Sequence, residues 1–220
     1  MTTTRHRRAL RILISAGPTR EPLDSVRFIS NYSTGYLGGQ LATEALARGH
    51  RVVVVSGPTS EAMPPGVRVI HVERTKEMQR AMRQEAPRAD AIIMAAAVAD
   101  FQPARRLTTK TPRRARWHLE LKPTPDIVKG LSRRRGQIVA AFALEHEDVL
   151  ARAKRKLRDK HLDLLIAQAM NGHGEPFGRR PIHAWLLTRD GTVTPMGVVS
   201  KSAVAGALLD KIESLWYGQP

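Results

Sequence analysis

The chain has 220 residues, 42% of them hydrophobic and none of them cysteine, and it carries a formal charge of +16. That length supports one sizeable α/β core, and the lack of cysteine excludes disulfides and thiolate chemistry. No apolar run reaches the length of a membrane span and residues 1–8 lack the apolar stretch of a secretory leader, so a cytoplasmic protein with no membrane partner is expected. A field this positive attracts nucleic acid or phosphorylated small molecules. Much of the charge sits in short bursts that read as solvated faces; the burst over residues 105–116 differs, because it follows an expected strand end.

Residues 1–9 predict a disordered basic tail, and residues 10–220 a single nucleotide-binding domain. In chain order, residues 11–15 predict a strand and residues 38–48 a helix stopped by Gly49. Residues 50–56 and 67–72 predict two more strands, the first apolar throughout, as in a strand buried on both faces. A helix over 75–84, capped by Thr75, precedes a fourth strand over 89–97. Beyond the basic loop come a short helix over 126–134, a strand over 137–143, a charged helix over 146–160 and a strand over 162–167. Strands alternating with helices over such short connections predict a three-layer α/β/α, Rossmann-like, mostly parallel sheet. Residues 171–181, rich in Gly and Pro, predict a mobile loop. Residues 184–188 and 191–195 flank Arg189-Asp190-Gly191, the signal of a C-terminal antiparallel hairpin, and residues 202–216 predict a closing helix.

Five places carry candidate chemistry. The turn Gly17-Pro18-Thr19 ends the first strand, and Arg20, Arg27, Asn31 and the series Ser33-Thr34-Gly35 follow it before a helix opens. Small residues, hydroxyls and a helix N-terminus around one concavity suit a phosphate, so Gly17, Pro18, Thr19, Ser33 and Gly35 are candidate nucleotide-binding residues. The G-x-G-x-x-G and Walker patterns are both missing, which argues against a dehydrogenase and against P-loop phosphoryl transfer. The run Ala95-Ala96-Ala97-Val98-Ala99-Asp100 leaves room for a flat ring, with Asp100 placed to accept from ribose hydroxyls or hold a metal. Lys110 lies in a cationic loop able to fold over phosphates, though a solvated loop is its rival. Phe142 is a candidate to stack on a base, against the commoner role of a core side chain. His146 between Glu145 and Glu147 has no second histidine at ligand spacing and reads as the polar start of a helix, so no metal-ligating set is assigned.

Three segments in series resemble the bacterial phosphopantothenoylcysteine synthetases. They are Ser15-Ala16-Gly17-Pro18-Thr19-Arg20-Glu21-Pro22, then Val26-Arg27-Phe28-Ile29-Ser30-Asn31 with Ser33 and Gly35, then Ala95-Ala96-Ala97-Val98-Ala99-Asp100-Phe101. Weaker matches are Lys122-Pro123-Thr124-Pro125-Asp126-Ile127, Phe142-Ala143 with Glu145, and Lys156-Leu157 with Lys160, Leu162 and Asp163. The resemblance covers nearly all of residues 10–216 and begins at the synthetase portion, so no flavin is expected, and a separate decarboxylase is a possible partner.

What the resemblance implies is a ligase of coenzyme A biosynthesis. It would join 4′-phosphopantothenate to L-cysteine while converting CTP to CMP and pyrophosphate, through an acyl-cytidylate and with Mg²⁺ or Mn²⁺ accompanying the nucleotide. By the same resemblance Asn31 would orient the acyl-cytidylate and Lys110 would aid its formation. Arg27 would lie near the pantothenate phosphate or belong to the loop's own framework. Ala96, Ala97, Asp100 and Phe142 would hold the cytidine. The resemblance also implies a homodimer, for which the hairpin over 184–195 offers a strand edge. The chain departs from the family pattern at Tyr36, at Pro112 and Arg113 of a K-x-K-K loop, and at Ala167-Gln168-Ala169. Those departures leave two alternatives: a ligase that uses ATP, or an impaired nucleotide- or RNA-binding protein on the same fold. Specific nucleic-acid binding is not the expectation.

Overall fold

The computed structural model of the protein describes residues 8–113, 115–170 and 176–218. All but the last two residues of the expected basic tail lie outside these, as do residues 171–175 of the expected loop over 171–181. Among the described residues the chain runs β1 (Arg11–Ala16), β2 (Arg20–Pro22), β3 (Phe28–Ser30), α1 (Tyr36–Ala47), β4 (Arg51–Ser56), β5 (Arg68–His71) and α2 (Thr75–Glu85). A 3-10 turn over Ala86–Arg88 leads to β6 (Ala91–Met94), β7 (Phe101–Pro103), β8 (Leu121–Pro123), β9 (Ile138–Glu145) and α3 (Val149–Asp159). The chain then closes with β10 (Leu164–Ala169), β11 (Ile182–Thr188), β12 (Val193–Val199) and α4 (Lys201–Tyr217).

Eight strands form one sheet in the order β12-β11-β10-β9-β6-β1-β4-β5. The six from β10 to β5 are parallel; β11 and β12 add an antiparallel edge. This is the α/β, Rossmann-like arrangement expected, with its C-terminal hairpin. Alternation along each strand sorts the core into two faces. Ile12, Ile14, Val52, Val54, Leu164 and Ile166 pack beneath Leu41 and Ala45 of α1 and Val204, Leu208 and Ile212 of α4. Leu13, Val55, Ile92, Val139 and Leu165 pack on the other face against Met78 and Met82 of α2 and Ala153 and Leu157 of α3. Because both faces are covered, the parallel strands carry almost no polar residue. Each fully buried branched side chain such as Ile14 contributes about 1.5–3 kcal/mol.

Three expected elements come out differently. Residues 126–134 form no helix: Gly130 N–H reaches back to Asp126 and Ile127, giving a single turn, while Ile127, Val128 and Leu131 pack into the core. One apolar turn is too short to repay helix nucleation. Thr75 is not the cap of α2. Arg74 holds that position, and Glu77 accepts from the Glu73 and Arg74 amides, while the Thr75 hydroxyl turns inward to Thr19. The fourth strand stops at Met94, and residues 95–97 leave its ladder to hang from the end of β1: Ala95 and Ala97 donate to the carbonyls of Ser15 and Gly17. Two small ribbons, β2–β3 and β7–β8, were not expected from the sequence.

Candidate functional site

Strand order reverses at β1, which has β4 on one side and β6 on the other. In open sheets the connections leave such a switch point in opposite directions and open a crevice beyond the strand ends. A cavity of about 640 Å³ lies there, floored by residues 94–98 and bounded by the N-terminus of α1. A second cavity of about 940 Å³ lies on the far side of residues 31–34, between them and the turn after β4. Asn31, Ser33 and Thr34 face both, so that short segment is the wall between two compartments.

The turn at the end of β1 is held by close packing. Gly17 takes a left-handed φ of 73°, and a Cβ there would sit 3.1 Å from the Gly57 carbonyl oxygen. Thr19 has no exposed surface; its hydroxyl accepts from the Ala99 amide at 2.9 Å and meets the Thr75 hydroxyl at 3.1 Å. Gly17 and Thr19 line neither cavity, and Pro18 lines only the second. The small residues expected to cradle phosphate instead lock β1, β4 and α2 together. Gly35, at a φ of 84°, caps α1; a Cβ there would lie 2.7 Å from the Thr59 hydroxyl. No acidic residue occupies the first turn of α1, so its positive dipole end faces the cavity unneutralised.

The floor is built from main chain. Ser15 Oγ accepts from the Ala96 amide at 3.2 Å, and the Ala97 carbonyl accepts both the Thr19 amide at 3.3 Å and Asn31 Nδ2 at 2.9 Å. Asn31 is exposed, yet that bond fixes its side chain over the alanine floor. Ala96, Ala97, Asp100 and half-buried Phe142 all line the cavity with Asn31, Ser33 and Gly35. A flat apolar bed next to a ring, a carboxylate and a helix N-terminus is chemistry for a planar heterocycle carrying an anion.

The opposite wall is cationic. Lys156 and Lys160 of α3 and its C-terminal end reach it, paired with Glu145 at 2.6 Å and Asp126 at 3.1 Å. Burial opposes ionisation of Asp126, but the Lys129 amide and the Lys160 ammonium outweigh it and hold the carboxyl below its ordinary range. Lys201, the first residue of α4, also lines the cavity and is buried. Its ammonium donates to the carbonyls of Pro176 and Gly178 at 2.7 and 2.6 Å, and burial pushes its pKa down to about 8. Residues 176–178 thereby become a strap: Phe177 approaches the Tyr32 ring at 6.1 Å. Gln168, one of the departures from the family pattern, also faces the cavity, whereas Lys201 does not stand out in the sequence. The signal for the α3 lysines is their spacing of four, which puts both on one helix face.

Besides Gly17 and Thr19, two further candidates stand outside both cavities. Arg27 pairs with Asp24, donates to the Thr111 carbonyl at 3.0 Å and stacks over Trp117 at 4.7 Å, so in this structure it serves the loop's framework. Lys110 is exposed on the loop between β7 and β8. No group of three or more His, Cys, Asp or Glu able to hold a metal occurs among the described residues.

Fold and crevice together define the class: a doubly wound α/β protein with a ligand cavity at its topological switch point. The chain belongs to the family described as the DNA/pantothenate metabolism flavoprotein C-terminal domain, which matches residues 8–215. It is 38% identical over 222 residues to the coenzyme A biosynthesis bifunctional protein CoaBC of Mycobacterium tuberculosis, covering 94% of this chain and 53% of that protein. To the CoaBC protein of Bacillus subtilis it is 37% identical over 207 residues, covering 93% of this chain and 51% of that protein. The crystal structure of the C-terminal domain of a CoaBC protein superposes with a TM-score of 0.81 at 33% identity, covering 96% of this chain and 97% of that one. The expected kinship with the phosphopantothenoylcysteine synthetase domains is thereby shown, and the chain spans about half the length of the curated relatives it matches.

Proposed function

We propose that this chain is a phosphopantothenate–cysteine ligase that uses CTP. The observation that carries the reading is the position of Asn31, fixed to the Ala97 carbonyl on the wall shared by two cavities. A reaction in which one molecule is first joined to a nucleotide and then handed to an amine needs two compartments that meet at the reacting carbon.

A carboxylate resists attack by an amine until one of its oxygens is replaced by a good leaving group. In the first step a carboxylate oxygen of 4′-phosphopantothenate attacks the α-phosphorus of CTP, and the bond to the bridging oxygen breaks, releasing pyrophosphate. In the second step the cysteine nitrogen attacks the acyl carbon, loses a proton, and CMP departs with the electron pair. The base lies on the alanine floor beside Phe142, with Asp100 accepting from the ribose. The triphosphate faces the first turn of α1 and the lysines of the α3 wall, fixed charges that need no reorganisation during reaction. Asn31 Nδ2 donates toward the acyl-phosphate carbonyl, and Lys110 folds in with its loop to offset the charge of pyrophosphate formation.

Magnesium or manganese fits this donor set as a companion of the nucleotide. Asp100 is the cavity carboxylate with no ion pair among the described residues, and a cation held mainly by phosphate oxygens needs only one or two carboxylates. Such an ion would neutralise triphosphate charge.

The test is pyrophosphate release from 4′-phosphopantothenate, comparing CTP with ATP, with and without cysteine. CTP-selective release, with CMP and a new amide only when cysteine is added, is the expected result. No release from folded protein with either nucleotide would retire the ligase in favour of nucleotide or RNA binding. We propose also that the chain works as a homodimer. Exposed apolar side chains gather on and around the ribbons β2–β3 and β7–β8, where Val26, Phe28, Phe101 and Leu121 stand out; on β12 only Val198 does. The ribbon face is therefore the one we assign to pairing, in place of the hairpin edge. A monomer mass at all concentrations in light scattering would refute the dimer; a dimer unaffected by Phe28→Lys with Phe101→Lys would refute the face.

A further inference from the structure

Two loops far apart in sequence meet on one carboxylate. Asp24 is 2% exposed, although it belongs to the irregular connection between β2 and β3. Its Oδ1 accepts from the Val26 and Arg27 amides, both at 2.9 Å. That pattern is a local turn, and by itself it explains an aspartate on the surface. The other oxygen does more. Oδ2 accepts from Arg27 Nε at 3.0 Å, Arg27 Nη2 at 2.5 Å and the Thr111 amide at 3.2 Å. Arg27 Nη2 donates in turn to the Thr111 carbonyl, so aspartate and arginine grip both polar groups of one distant peptide residue.

The grip is reinforced on both sides. The Leu107 amide donates to the Leu23 carbonyl at 3.0 Å, and Trp117 lies against the Arg27 guanidinium. Arg27 foremost, with the three backbone amides, holds the Asp24 carboxyl well below the usual carboxylate range against the cost of burial. A carboxylate covered in this way is strongly disfavoured without partners, so the donors are a condition of its being covered at all. Thr111 directly follows Lys110, and Asn31 follows Arg27 by four residues. Residues 107–113, which carry Lys110 and Arg113 and are otherwise mostly exposed, have few other ties to the domain among the described residues.

We propose that Asp24 is a positioning residue, whose carboxylate latches the 107–113 segment to the loop carrying Asn31 and so sets the root from which Lys110 reaches the cavity mouth. The consequence for rate rests on the ligase reading; the latch itself does not.

Hydrogen exchange followed by mass spectrometry on the full chain tests the latch without substrate. Asp24→Asn keeps the shape and local turn but loses the charge that binds Arg27. Thr111→Pro keeps the Asp24–Arg27 pair and removes the donated amide, but it also restricts the backbone at Lys110, so it stands in for the exchange readout alone if the first variant folds poorly. Amides of residues 107–111 in the first variant, and 107–110 in the second, should exchange about tenfold faster or more, with α1 and β1 unchanged. Pyrophosphate release should fall by about tenfold to a hundredfold, the scale of a small misplacement of a reacting group. Asp24→Asn should then add little on a Lys110→Gln background, because both act through one side chain. Unchanged exchange in both variants, or full additivity on that background, would overturn the proposal. Faster exchange in the variants, with a wild type that releases no pyrophosphate, would retire the ligase reading and leave the latch standing.

Discussion

The connection over residues 17–35 leaves the end of β1 and the one over 104–120 joins β7 to β8, and the two are built in opposite ways. The first is tied down by hydrogen bonds at several points along its length. Thr19 bonds to Ala97, Ala99 and Thr75, Ser30 donates to the Thr19 carbonyl, and Asn31 bonds to Ala97. The second is mostly exposed and touches the first at Leu107, Thr111 and Trp117, with Ala104 paired near its base to Glu120. A group that must sit still over a reacting carbon belongs on the first kind of loop. One that must admit a charged substrate and then close belongs on the second.

Breaking the rigid partner should cost most. Asn31→Ala is expected to lower amide formation about a thousandfold, the upper range for loss of one donor to a developing oxyanion, while the first half-reaction survives. The check is a burst of pyrophosphate without matching CMP; equal loss of both products would place Asn31 in the first step instead. Lys110→Gln should slow pyrophosphate release about a hundredfold and leave Tm within a degree or so, since the side chain is exposed. A rate close to wild type would make the cationic loop a solvated one.

The rigidity of the first loop has its own test. A Cβ on Gly57 would lie 1.8 Å from the Pro18 carbonyl oxygen, an overlap that only backbone movement relieves. Gly57→Ala should destabilise the fold by about 1–3 kcal/mol in urea and shift the turn that bounds the second cavity. Stability unchanged from wild type would mean that the β1 and β4 ends are looser than their packing implies.

The smallest effect concerns the strap. Lys201 loses its proton more easily when folded, with a pKa near 8 against an ordinary 10.5. Between those values the unfolded chain holds more protons than the folded one, so stability referred to Lys201→Met rises with pH from about 8 to 10.5 and is flat below. A difference that falls across that window would show the ammonium to be stabilised in place, with the Pro176 and Gly178 carbonyls outweighing burial.

Much of this was legible in one dimension. Continuous apolar runs such as Val52–Val55, broken by Gly-stopped helical patterns, mark strands buried on both faces, and short alternating connections leave little but a parallel sheet. Asn31, Ser33, Gly35, Ala96, Ala97, Asp100 and Phe142 were all readable as candidates, and all seven line one cavity. Gly17 and Thr19 were readable only as small and polar. Whether such residues hold a ligand or a neighbouring strand depends on what lies across from them, here Gly57 and Thr75.

The amino-acid sequence by itself determined the layered fold, the strand-end location of the site and most of its floor, because periodicity and turn chemistry are local properties carried by neighbouring residues. Tertiary structure alone decided which ligand face the α3 lysines serve, the strap held by Lys201 and the meeting of Thr111 with Asp24. Those contacts join residues up to 87 positions apart, and no periodicity encodes which of many exposed-looking charges will find a partner once the sheet has brought their loops together.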